Sequence, residues 1–136
     1  MSVPCGTELA RPFLPARDFE LSKRFYEVLG FEKLLDGEVA IFAVGTSSFI
    51  LQNYFEKTWA ENFMMQLVVD DLDAWWRHID QLDLPARFDV PKPKPPAIQP
   101  WGLHVVFVID PSGVLWHIAQ RREHNLSDIG RASEAE

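Results

Sequence analysis

Apolar and polar positions change period along this chain, and each change marks a strand, a turn or a helix. Residues 8–14, closed by Pro15, read as a first strand. Asp18 then stands at an N-cap position with Glu20 in the first turn. Leu21, Phe25, Val28 and Leu29 follow at i, i+4, i+7 and i+8, and Gly30 ends the pattern. This predicts an amphipathic helix marked at both ends. Residues 31–35 form the next predicted strand, Asp36-Gly37 is a hairpin signal, and 38–44 is a further strand. Gly45-Thr46-Ser47 turns the chain into a strand over 48–53.

After a loop carrying Tyr54, Phe55 and Trp59, the pattern starts again. Residues 63–69 read as a strand, and Asp71 caps a helix with Asp73 in its first turn and Leu72, Trp75, Trp76, Ile79 and Leu82 on one stripe. Tryptophans at that spacing belong against a sheet, so they are assigned to the core. Residues 86–90 suggest a short strand. Pro91-Lys92-Pro93-Lys94-Pro95-Pro96 has to be an irregular extended loop, because proline removes donors and fixes φ. Residues 103–109 are apolar on both faces, as a covered strand requires. Asp110-Pro111-Ser112-Gly113 is turn chemistry, and 114–120 completes a hairpin in which His104 and His117 are the polar exceptions. Residues 121–136 are polar, mixed in charge and without readable chemistry.

The two halves superimpose at an offset of 53 positions, which aligns Asp18 with Asp71, Arg24 with Arg77, Glu27 with Asp80 and Leu29 with Leu82. Each half is a strand, a helix and a set of three strands. The expected fold is α+β, with two βαβββ modules curling around a shared cavity in a single domain. Module one spans about 8–54, module two about 62–120, and 121–136 is a tail.

Composition narrows the function. With 47% hydrophobic residues in 136, one core is easily built. No apolar run approaches a membrane span, and the first residues lack an export signal, so a cytoplasmic location is expected. The single Cys5 excludes an internal disulfide or a thiolate cluster within one chain. A net charge of −7 argues against nucleic acid and anionic membrane surfaces as partners, and suits a cationic ligand. There is no phosphate-binding glycine loop, no glycine-flanked serine nucleophile and no Cys-His or Ser-His pairing. Asp70, Asp71 and Asp73 form a carboxylate cluster that helix capping explains.

Ala16-Arg17-Asp18-Phe19, the stretch Arg24-Phe25-Tyr26-Glu27-Val28-Leu29-Gly30-Phe31, Val69-Asp70-Asp71-Leu72 and Asp110-Pro111-Ser112-Gly113 together resemble the glyoxalase, bleomycin-resistance and extradiol-dioxygenase superfamily. The resemblance covers almost all of 8–120. It implies up to four strand positions for metal ligands, usually His or Glu. By spacing these fall at Arg11, Gln52, Met64 and His117, with a slip of one or two residues open at Gln52. Only His117 is a normal ligand, since guanidinium cannot coordinate and thioether and amide are poor partners for Zn²⁺ or Fe²⁺. His104 would join His117 if the hairpin loop has an even number of residues, whereas a one-residue shift sends the rings to opposite faces.

Lost ligands in an intact fold resemble the bleomycin-resistance branch, whose members bind a drug without altering it and pair as homodimers with clefts built by both chains. Trp101-Gly102 resembles that branch's tryptophan-glycine step before the same strand. The candidate ligand-binding set is therefore Arg11, Gln52, Trp59, Met64, Trp101, His104 and His117, with Trp59 and Trp101 as stacking surfaces. The expected function is non-catalytic sequestration of an aromatic, cationic antibiotic by a cofactor-free homodimer. Arg11 sits uneasily with a cation, because guanidinium favours an acid. The alternative is a metal-dependent lyase or dioxygenase using His117 with His104.

Overall fold

Asp18 and Asp71 open the two long helices in the same way, each carboxylate accepting from the backbone N–H three residues on, at Leu21 (3.1 Å) and Ala74 (3.0 Å). The first helix ends at Gly30, whose φ of 101° is the left-handed cap that glycine adopts at little cost. The structure is a computed structural model and describes residues 2–122. Most of the polar tail, including His124, lies outside the described residues.

The elements run β1 (Phe13–Pro15), α1 (Phe19–Leu29), β2 (Glu32–Asp36), β3 (Val39–Val44), β4 (Ser47–Gln52), α2 (Lys57–Asn62), β5 (Met64–Val69), α3 (Leu72–Gln81), α4 (Leu84–Phe88), β6 (Ala97–Ile98), β7 (His104–Ile109) and β8 (Leu115–Gln120). They form two four-stranded sheets of the same design, β1-β4-β3-β2 and β5-β8-β7-β6. In each sheet the opening strand pairs in parallel with the closing strand, and the other pairings are antiparallel. The repeated pattern in the sequence is thus a repeated βαβββ module in space.

Alternation decides which face of each sheet is covered. Leu14, Leu51, Phe49, Phe42 and Ala40 from the first sheet and Trp116, Ile118, Val106 and Val108 from the second are buried. They meet around α1, where Tyr26 packs on Phe31, Phe42, Phe49 and Trp116 with ring centroids 4.9–5.9 Å apart. One core therefore joins the two sheets, and each sheet turns its other face away from it. His78 adds a polar tie, its Nε2 lying 2.7 Å from the Leu29 carbonyl at the end of α1.

Four local expectations need correction. The first strand is only Phe13–Pro15, because Pro12 has no N–H for the ladder and only its carbonyl engages, accepting from Ile50 N (2.9 Å). Residues 86–90 are not a strand. The helix α4 puts Leu84 and Phe88 at i and i+4 into the core, with Pro85 in the first turn where a missing N–H costs little. The loop carrying Trp59 contains α2, too short to show a period, with Ala60 as its buried residue. After the extended proline stretch, β6 supplies a short edge strand.

The Asp110 turn fixes the register of the second sheet. Its carboxylate is buried and accepts from Ser112 N (2.8 Å), Val114 N (3.0 Å) and Tyr26 Oη (2.6 Å), while Trp116 Nε1 donates to the same tyrosine oxygen (3.0 Å). Gly113 holds φ at 100° within this turn. Burial pushes the Asp110 carboxyl above its ordinary range, and the hydrogen bonds pull it back only in part. The turn is thereby bolted to α1 of the other module.

Candidate functional site

The outer face of the second sheet is set by the pairing of β8 with its neighbours. Phe107 and Gln66 flank His117 across the two ladders, and Met64 lies beside Leu115 on the same face. Against this face stands Trp101, brought there by a tight turn in which Gln99 N donates to the Leu103 carbonyl (2.9 Å) and Gly102 N to the Gln99 carbonyl (2.8 Å). The Trp101 and His117 rings are stacked with centroids 6.1 Å apart and planes inclined by 28°, and the Phe107 ring meets His117 edge-on at 4.8 Å. An indole, an imidazole and a phenyl ring form one row.

His117 is the polar centre of that row. Its Nε2 is buried and has no hydrogen-bond partner among the described residues. Burial lowers its pKa below the ordinary histidine value, so the ring is neutral at pH 7. A neutral imidazole nitrogen with no partner among the described residues is a hydrogen-bonding group left unsatisfied at the centre of the row. Around it the face is apolar and open: Met64 is 63% exposed, Val68 51%, Trp101 50% and Phe107 36%. Such a surface offers area for stacking and few polar groups to compete for water.

The outer face of the first sheet carries the other half of the expected set. Arg11 donates from Nε to Ser48 Oγ (2.7 Å) just before β1, and Phe13, Ile50 and Gln52 lie on the same face by register. Arg11 makes no ion pair among the described residues.

The structure therefore brings Met64, Trp101 and His117 onto one face, and Arg11 and Gln52 onto the matching face of the other sheet. His104 does not belong with His117. Ile109 pairs with Leu115, so five residues form the hairpin loop, the count is odd, and His104 points to the opposite face at the exposed end of β7. The extra residue is accommodated because the Asp110 side chain captures the Val114 N–H. Gln52 is also displaced: Gln66 opposes His117, Phe13 is its repeat partner, and Phe13 pairs with Ile50, so Ile50 holds the place equivalent to His117. Trp59 lies on α2 against Tyr54, centroids 6.3 Å apart, and is not part of the row with Trp101. Phe107, Gln66 and Ile50 were missed; the parity of the Asp110 loop is the signal that finds Phe107, whereas Gln66 and Ile50 depend on the parallel pairings of β5 with β8 and of β1 with β4.

These residues do not fit a metal ion. The positions that the resemblance assigns to ligands supply one imidazole, one guanidinium, one thioether and either an amide or an isoleucine, split between two sheets. Among the described residues no three His, Cys, Asp or Glu side chains gather in a group suited to an ion.

No family model matches the chain. A bleomycin resistance protein of Klebsiella pneumoniae is 29% identical over 120 residues, covering 84% of this chain and 93% of that protein. A bleomycin-binding protein solved in complex with bleomycin superimposes with a TM-score of 0.71 at 28% identity, covering 85% of this chain and 100% of that one. A lactoylglutathione lyase from Agrobacterium tumefaciens shares the fold, with a TM-score of 0.59 at 19% identity over 84% of this chain and 94% of its own. By sequence the chain is similar to bleomycin resistance protein, and its fold is that of bleomycin-binding protein and lactoylglutathione lyase.

Proposed function

We propose that this protein binds an aromatic antibiotic of the bleomycin type and holds it without chemical change, protecting the cytoplasm in which it is made. The observation that carries this reading is the row Trp101–His117–Phe107 on an exposed apolar face, with a buried Nε2 that has no partner among the described residues. A planar heteroaromatic group stacked on Trp101 gains roughly 0.5–1.5 kcal/mol beyond its area burial, and a cationic substituent over the ring gains a comparable amount. Similarity to a protein solved with bleomycin supports the ligand class. Of the positions that the resemblance assigns to metal ligands, only His117 holds a normal one, which favours recognition over metal chemistry as the work of the face.

The same reading calls for a homodimer. The two candidate faces belong to different sheets, and both are turned away from the core that the sheets share. A second copy presenting the Arg11, Phe13, Gln52 face to the Met64, Trp101, His117 face makes a cleft from both. Titration of the protein with bleomycin in a calorimeter, followed by mass spectrometry of the recovered drug, tests the function. Saturable binding with intact drug supports it, and the absence of heat or an altered drug refutes it.

A further inference from the structure

The proline stretch does not merely connect α4 to β6. It lines, with the outer face of β7, a partly open cavity of about 360 Å³ bordered by Val105, Phe107 and Ile109 on the strand, by Ala97, and by Lys92 and Lys94. The volume falls at the low end of the range for small-molecule sites. Among the described residues lining it the two lysines are the only charged ones, in a chain whose net charge is −7. Neither forms an ion pair among the described residues, although Lys92 also borders a neighbouring groove that contains Asp80 and Asp83.

The sequence explains why this stretch is stiff. Lys92 precedes Pro93 and Lys94 precedes Pro95, so both lysines are barred from helical angles and kept extended, and prolines on either side fix φ. Little backbone entropy remains to be lost when a ligand enters. An apolar floor beside two ammonium groups that form no ion pair among the described residues is complementary to a flat aromatic body that carries an acid.

We propose that the cavity beside the proline stretch is a subsite for an aromatic group bearing a carboxylate or sulfonate, with the acid held by Lys92 and Lys94 and the rings lying on Val105, Phe107 and Ile109. The proposal rests on the reading of this face as ligand-binding, since Phe107 belongs both to the floor and to the row with His117. It adds a second ligand class to that face, an aromatic acid rather than a drug of the bleomycin type, with a charge pattern opposite to that expected from the net charge alone.

The test uses two probes with one ring system: 8-anilinonaphthalene-1-sulfonate and the uncharged N-phenyl-1-naphthylamine. The full chain should bind the sulfonate about tenfold more tightly than the neutral probe, and raised salt should reduce the preference. The double variant K92Q/K94Q should bring the two probes to parity, whereas Arg24→Gln, exposed on α1 of the other module, should leave the preference intact. Phe107→Ala should weaken both probes alike. Equal binding of the probes to the unaltered chain, no binding of either, or a preference that survives K92Q/K94Q would overturn the proposal. Bleomycin is titrated in parallel: loss of the anion preference with retained bleomycin binding rejects the subsite alone, and the converse rejects only the bleomycin assignment.

Discussion

Tyr26 Oη donates to Asp110 Oδ2 across 2.6 Å, tying the first helix of one module to the turn that sets the strand register of the other. The same hydroxyl accepts from Trp116 Nε1 at 3.0 Å, so a single buried oxygen links both sheets' cores. Tyr26→Phe keeps the ring packing and removes only this link. It should destabilise the fold by about 2 kcal/mol in denaturant titration, as loss of a hydrogen bond to a buried carboxylate does.

Asp110 also has a pH signature. Its folded-state pKa is raised, chiefly by burial, so the folded chain holds the proton more tightly than the unfolded chain does. The stability this confers is complete below the unfolded value of about 3.9 and disappears as the pH rises through the raised folded value. Asp110→Asn should remove that component. The difference in stability between parent and variant, measured by thermal melts across the acid range, should shift towards the parent as pH falls.

His117 has the opposite sign. Burial lowers its folded pKa, so at a pH below about 6.5 the unfolded chain takes a proton that the folded chain resists, and stability falls as the pH drops towards the folded value. His117→Phe should abolish this dependence and, at pH 8, leave stability equal or higher, because the unpartnered nitrogen goes with the imidazole. Melts of the two proteins from pH 5 to pH 8 check it.

Gly113 sits at φ 100°, and an added Cβ would lie 3.3 Å from Glu61 Cγ. Gly113→Ala should cost about 1–2 kcal/mol, mostly from backbone strain since the Glu61 side chain can yield. A smaller loss in urea titration would mean that the turn relaxes.

The elements that carry the fold were legible because each is written locally. Asp18, Gly30 and Asp71 announce helix ends by their side-chain chemistry, and the 53-residue offset exposes the repeated module without any tertiary information. What failed depended on contacts between distant residues. The α4 helix exists because Leu84 and Phe88 find the core, which includes Phe25 at 5.3 Å from Phe88. The face of His104 turned on whether the Asp110 loop holds an even or odd number of residues, and that was decided by a side chain capturing the Val114 N–H. Trp101 and His117 were both picked out as candidates, but their stacking, and the place of Phe107 beside them, are products of register rather than of spacing.

The row at Trp101 bears most directly on the central claim, and calorimetric titration of the protein and of Trp101→Ala with bleomycin is the measurement that tests it. The account predicts saturable binding by the parent, drug recovered unaltered, and affinity reduced about tenfold in the variant through loss of the stacking surface. No binding by the parent, or equal binding by parent and variant, would contradict it.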